Sequence, residues 1–196
     1  MKFLPRRQLV LFGGLAVALA ACSEAGIDGD PPAPGDPYTQ IFDESRTLFP
    51  DVANAPSTEP GAMPDSGTAR YSGVAGLSSA PIQSSYEDAE LLGRIEVQAE
   101  FARATISGRM HSFHDNNDTA FGGEATLSAG RIVGTNFESD FAGTLTNPEG
   151  SVNVEGTLSG EFAGTRADRM RGLMSGTRTL SDGTGSLYGL FVAKRD

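Results

Sequence analysis

The residues with the most chemistry to offer lie in one short run, His111-Ser112-Phe113-His114-Asp115-Asn116-Asn117-Asp118. Two imidazoles and two carboxylates are the donor set of a metal site, and an imidazole is an axial ligand for haem iron. His111 and His114 are therefore the candidate metal ligands. Geometry decides between two cases. On a regular strand, residues i and i+3 point to opposite faces, and the two rings do not share a site. If the strand stops at Phe113, His114 sits in the loop and co-ligation is open. The plain alternative is a polar hairpin in which Asp115, Asn116 and Asn117 are turn residues. Tyr71, Tyr86 and Tyr188 are further candidates for haem. No nucleophile elbow and no glycine-rich phosphate loop ahead of a helix is present. The carboxylates Glu96, Glu100, Glu138 and Asp140 fall on polar strand faces, where a solvated exterior explains them better than acid–base work. The expectation is a non-enzymatic protein without a cofactor.

The other reactive residue is Cys22, the chain's single cysteine. Lys2, Arg6 and Arg7 form a basic start, and an apolar run from Leu9 to Ala21 follows, too short for a permanent transmembrane helix. The run ends Leu19-Ala20-Ala21-Cys22, which resembles the lipobox of bacterial lipoproteins. That resemblance implies cleavage before Cys22 and acylation of its thiol and new amino group. Several acyl chains anchor stably where one is marginal. Ala18-Leu19-Ala20 also fits an ordinary signal-peptidase site, which would release a soluble protein. Residue 23 is serine rather than aspartate, which by the same resemblance implies the outer membrane. The expected location is lipid-anchored at the outer membrane and surface-exposed, with the periplasmic face as the alternative.

Charge and composition divide the rest. The formal charge is −10, and loss of Lys2, Arg6 and Arg7 takes it to −13. Nucleic acid and anionic membrane surfaces call for basic patches, so neither is an expected partner. Residues 23–66 hold nine acidic residues against Arg46 alone, and eight of the eleven prolines. Ser23 to Pro37 reads as an extended spacer, since it has nothing to offset ordering entropy. Within the tail, Tyr38, Ile41, Phe42, Ser45 and Phe49 fall near helical spacing, which predicts a short helix over 38–49 packed against the base of the domain, with a partner-binding motif as the alternative. Residues 51–66 return to linker composition. The domains expected are a signal peptide (1–21), a lipidated linker (22–66) and a β-domain (67–196).

From residue 67 the period changes to two. Ile95, Val97, Ala99 and Phe101 share one face against Glu96, Gln98 and Glu100. Phe137, Phe141 and Leu145 share another, as do Val152, Val154, Leu158 and Phe162. The run Ser186 to Ala193 alternates poorly, with Leu187 and Phe191 set against Tyr188, Leu190 and Val192. Half-buried antiparallel strands read this way. They are placed near 69–77, 93–102, 104–113, 123–133, 136–146, 151–163, 169–178 and 186–194. Turns are marked at Asn147-Pro148-Glu149-Gly150 and Ser181-Asp182-Gly183-Thr184-Gly185. Eight such strands can close an all-β, antiparallel up-and-down barrel and leave no edge. Phe101, Phe141 and Phe162 predict a filled interior.

Several segments carry a family likeness. Gly67-Thr68-Ala69-Arg70-Tyr71-Ser72-Gly73, Ile95 to Gly108, the pattern Gly160-x-Phe162-x-Gly164-x-x-Ala167-x-x-Met170-x-Gly172, and the closing Tyr188 to Arg195 resemble the lipoprotein barrel of transferrin-binding protein B. The resemblance covers about 67–196 and implies a surface lipoprotein with an eight-stranded barrel. Relatives of that type include transferrin receptors, factor-H-binding lipoproteins and haem-related surface proteins. It implies a protein or iron-related ligand for this chain, and no binding residue is carried over. A barrel that carries a small apolar ligand or haem, and a structural envelope lipoprotein, are the alternatives.

Overall fold

The computed structural model describes residues 35–82 and 85–196. The lipobox and Cys22 lie outside them. Eight strands follow one another around a closed barrel: β1 (Thr68–Ser78), β2 (Leu91–Glu100), β3 (Thr105–Asp115), β4 (Ala120–Val133), β5 (Asn136–Asn147), β6 (Gly150–Ala163), β7 (Arg169–Leu180) and β8 (Gly183–Arg195). Every neighbouring pair is antiparallel, and β1 closes on β8 through Tyr71 opposite Arg195 and Ser78 opposite Tyr188. The expected all-β, eight-stranded up-and-down barrel is what forms. One difference is local: Phe101 leaves β2 for a 3-10 turn, Phe101–Arg103, yet its ring still joins the core.

The interior is filled. Phe162 stands at its centre, with ring centroids 5.9 Å from Tyr71, 5.8 Å from Phe101 and 5.1 Å from Phe137. Phe141, Phe191, Met110 and Met170 complete the packing. Rings this large need glycine across from them. A Cβ on Gly172 would lie 2.6 Å from the Phe191 ring, so the close approach there requires the missing side chain. A ligand inside the barrel would have to displace these rings.

A second apolar cluster lies on the outer wall, under helix α1 (Pro37–Ala53). Asp36 caps the helix, accepting the Thr39 N–H at 2.7 Å, and Pro37 takes the first turn, where its missing donor costs nothing. Ile41 and Val52 are buried against Val74, Leu92, Leu190 and Val192. This cover explains the irregular pattern of β8. Leu187, Phe191 and Ala193 face the interior, while Leu190 and Val192 face the helix, so both faces are apolar. Contrary to the expected position at the base, α1 runs along the side wall. Its first turn reaches the β3–β4 connection, where Tyr38 N–H donates to Asp118 at 3.1 Å, and its last turn reaches β7 and β8.

The stretch 51–66 is not a free linker. Thr58 donates its N–H to Phe162 O and its hydroxyl to Gly164 O, both at 2.9 Å, and Gly164 N–H donates to Pro56 O at 2.9 Å. Composition suggested a spacer because the segment brings few apolar side chains. Its order comes from these hydrogen bonds, joined by the packing of Val52 and Met63.

Candidate functional site

A β-bulge rearranges the histidine run. Ser112 has φ +53°, and the β3–β4 register shifts between His111 and Phe113. The extra residue restores the inward parity at Phe113, which is buried like Met110. His111 and His114 consequently share the outer face, which regular strand geometry forbids. They do not converge on one centre. His111 Nε2 lies 3.3 Å from Glu96 Oε1 and its Nδ1 lies 2.8 Å from Ser112 Oγ. His114 Nδ1 is 3.1 Å from Asp118 Oδ1, at ion-pair distance but without hydrogen-bond alignment. Among the described residues no group of three or more His, Cys, Asp or Glu side chains is placed to hold a metal. Asp115 closes the turn by accepting the N–H groups of Asn117 (2.9 Å) and Thr119 (2.8 Å). Burial pushes its carboxyl up, but these bonds outweigh it and hold the group below its ordinary value.

Two of the three candidate tyrosines have structural work. Tyr71 points into the core and donates to Ala167 O, and burial raises its hydroxyl far above the usual phenol range. Tyr86 is buried beneath α1, donates to Val74 O at 2.8 Å, and is raised by the same cause. Glu96 is held below the ordinary carboxylate value, first by Arg109, whose Nε donates to it at 3.0 Å.

The glycine-rich stretch 160–174 is the receptor for the N-terminal strap formed by α1 and residues 54–58. Arg171 occupies its centre. Its Nε and Nη2 donate to Glu161 Oε1 at 2.9 and 2.7 Å, and its Nη1 donates to the carbonyls of Val52 (3.0 Å), Ala53 (2.5 Å) and Ala55 (3.0 Å). Helix C-termini leave carbonyls without partners, and a guanidinium fork satisfies several together. Gly164, with φ +86°, lets the chain leave β6 against Asp168, which itself pairs with Arg169 at 2.6 Å. Arg169 and Lys194 converge on Asp51 of α1, at 3.1 and 2.8 Å.

These pairs set an acid limit on the strap. Asp51 is lowered first by Lys194 and then by Arg169; Glu161 is lowered first by the Ser57 hydroxyl, with Arg171 also contributing. A carboxyl depressed in the fold contributes stability above its unfolded value, and that contribution is lost as pH falls through the folded one. Amide protection at Ala53 and Ala55, the exchange rate taken relative to the intrinsic rate at each pH, is therefore expected to hold from pH 7 down to about 5 and to fall only below about 4. A transition centred near pH 6.5 would contradict this account and implicate an imidazole.

Beside the last turn of α1 the outer wall opens into a groove of about 800 Å³. Phe49, Leu190 and Val192 form its helix side, with Leu173 and Val133 across from them. Leu173 and Val133 are 62% and 66% exposed. The rim carries two ion pairs, Arg131–Glu138 at 3.0 Å and Arg171–Glu161 at 2.7 Å. The sequence did hold a signal for this site: Leu173 is apolar at the odd position between Met170 and Met174, which face inward.

This is a filled, strapped barrel with its accessible apolar surface outside. Residues 63–195 match the family described as the C-lobe and N-lobe β-barrels of transferrin-binding protein B, and the chain belongs to that family. Among solved structures it is similar to a point mutant of transferrin-binding protein B from Haemophilus parasuis (21% identity, TM-score 0.47, 71% of this chain and 28% of that one). It is likewise similar to the isotype 1 protein of serogroup B Neisseria meningitidis (20% identity, TM-score 0.45, 72% and 28%) and to intact Ap-TbpB with its N and C lobes (20% identity, TM-score 0.46, 71% and 28%). The chain thus spans little more than a quarter of the length of these proteins. No curated protein matches it.

Proposed function

We propose that this chain is an outer-membrane lipoprotein, anchored through acylated Cys22, that binds a protein partner at the cell surface and catalyses no reaction. The observation that carries the reading is the filled barrel interior, which leaves the outer wall and the connections as the binding surface. The sequence Leu19-Ala20-Ala21-Cys22 supports the anchor, with 1–21 as the removed signal peptide and 67–196 as the barrel domain. The family's name makes an iron-carrying protein of the transferrin kind the first partner to test.

Two measurements test this reading. Labelled palmitate should enter the protein and be lost in Cys22→Ser. Protease added to intact cells should cut the protein while a periplasmic control survives. If it is cut only after the outer membrane is opened, the surface reading fails and a role on the periplasmic face takes its place.

A further inference from the structure

We infer that the partner docks in the outer-wall groove beside α1, and that it presents an aliphatic or aromatic side chain flanked by lysine or arginine. This deepens the protein-binding reading and rests on it. All eight strands are paired on both sides, so no edge is free to accept an added strand. Only three large hydrophobic residues are strongly exposed among the described residues, and two of them, Val133 and Leu173, line this one groove. An apolar concentration of this kind, rimmed by polar groups, marks an interaction surface. Its walls are fixed in advance by barrel strands and by the Arg171 clamp, so little is lost to ordering on binding.

Charge defines the partner further. Arg131 and Arg171 each already hold a carboxylate, Glu138 and Glu161. Asp140 follows Glu138 of the rim along the outer face of β5, is exposed and makes no ion pair among the described residues. The whole chain carries −10. The rim pairs balance, exposed Arg166 of the β6–β7 connection offsets Asp140, and the net negative charge of the chain is what favours a basic flank on the visitor. Position agrees. The groove lies by the β4–β5 and β6–β7 connections, whereas residue 35 lies at the other end, where Tyr38 meets the β3–β4 connection. The length of α1, about 25 Å, separates them, so the groove stands at the far end of the wall from residue 35.

The test uses the full chain carrying Cys22→Ser, labelled at methyl groups for NMR, with three synthetic peptides as probes. One has a Leu-Phe pair between lysines, one the same pair between glutamates, and one a Ser-Ser pair between lysines. The first should shift the methyl signals of Val133, Leu173 and Leu190 and bind about tenfold or more tightly than the second; the third should do neither. Leu173→Glu should weaken the first peptide by about tenfold, and Leu180→Glu, exposed at the far end of β7, should leave it unchanged. Equal binding of the three peptides, shifts confined to other residues, or an inert Leu173→Glu would overturn the inference. Crosslinking on intact cells separates it from the wider reading. If Leu173→Glu protein still crosslinks to the partner that wild type captures, the groove is wrong and surface capture stands. If the peptide results hold while wild type crosslinks to no external protein, the groove stands and surface capture falls.

Discussion

Phe162→Ala is expected to destabilise the barrel by about 3–5 kcal/mol, the usual cost of deleting a fully buried phenylalanine. Phe162 has no solvent exposure and meets three other rings, Tyr71, Phe101 and Phe137. These rings come from β1, from the turn after β2 and from β5, so the cavity cannot close by moving one strand. Domains of this size have only about 5–15 kcal/mol in total, which makes the loss a large share. A shift of the denaturant midpoint at unchanged slope would measure it. A loss under about 1 kcal/mol would mean the interior is loosely packed, and the case against an internal ligand would fail with it. Phe162→Leu serves as the control, with a smaller loss because most of the volume is kept.

Arg171→Ala should act on the strap rather than on the barrel. It leaves Glu161 without its main cation and strips a donor from the carbonyls of Val52, Ala53 and Ala55. Hydrogen bonds to a charged group are worth about 1.5–3 kcal/mol each, but Arg171 keeps about a quarter of its side chain in water, which discounts the sum. We expect about 2–3 kcal/mol, read as amide exchange about 30- to 150-fold faster from Ser45 to Thr58. Strand amides in β3–β5 should keep their protection. Equal acceleration throughout would show that strap and barrel unfold as one unit. Arg171→Lys should not restore the wild-type rate, because an ammonium lacks the planar fork that reaches the carboxylate and the carbonyls together.

The barrel was legible in the sequence because its inner face alternates strictly: Ile95, Val97 and Ala99 on β2, and Phe137, Phe141 and Leu145 on β5, give one side of a half-buried strand directly. Where the alternation failed, the cause was a second layer. Leu190 and Val192 look like noise in β8 until α1 covers them, and nothing local to β8 announces a helix about 140 residues earlier in the chain. The bulge at Ser112 was hidden for another reason. A serine at positive φ carries no marker in sequence, yet that one residue reverses the face of His114. The run 160–174 was recognisable as a motif, but its purpose was not. Arg171 and Glu161 look like solvated charges until they are seen gripping the carbonyls at the end of α1.

The strap runs antiparallel to β1, and this gives the protein a direction in which it yields. A pull on the chain at residue 35 loads α1 first, drawing it lengthwise off the wall against the Arg171, Arg169 and Lys194 contacts. The tension reaches β1 only after those contacts part, because residues 54–67 join the barrel at the opposite end. Residues 35–67 can then pay out to roughly 110 Å of extended chain before any strand is strained. Under shear the helix is a fuse that breaks ahead of the barrel and leaves it, with most of the groove, intact.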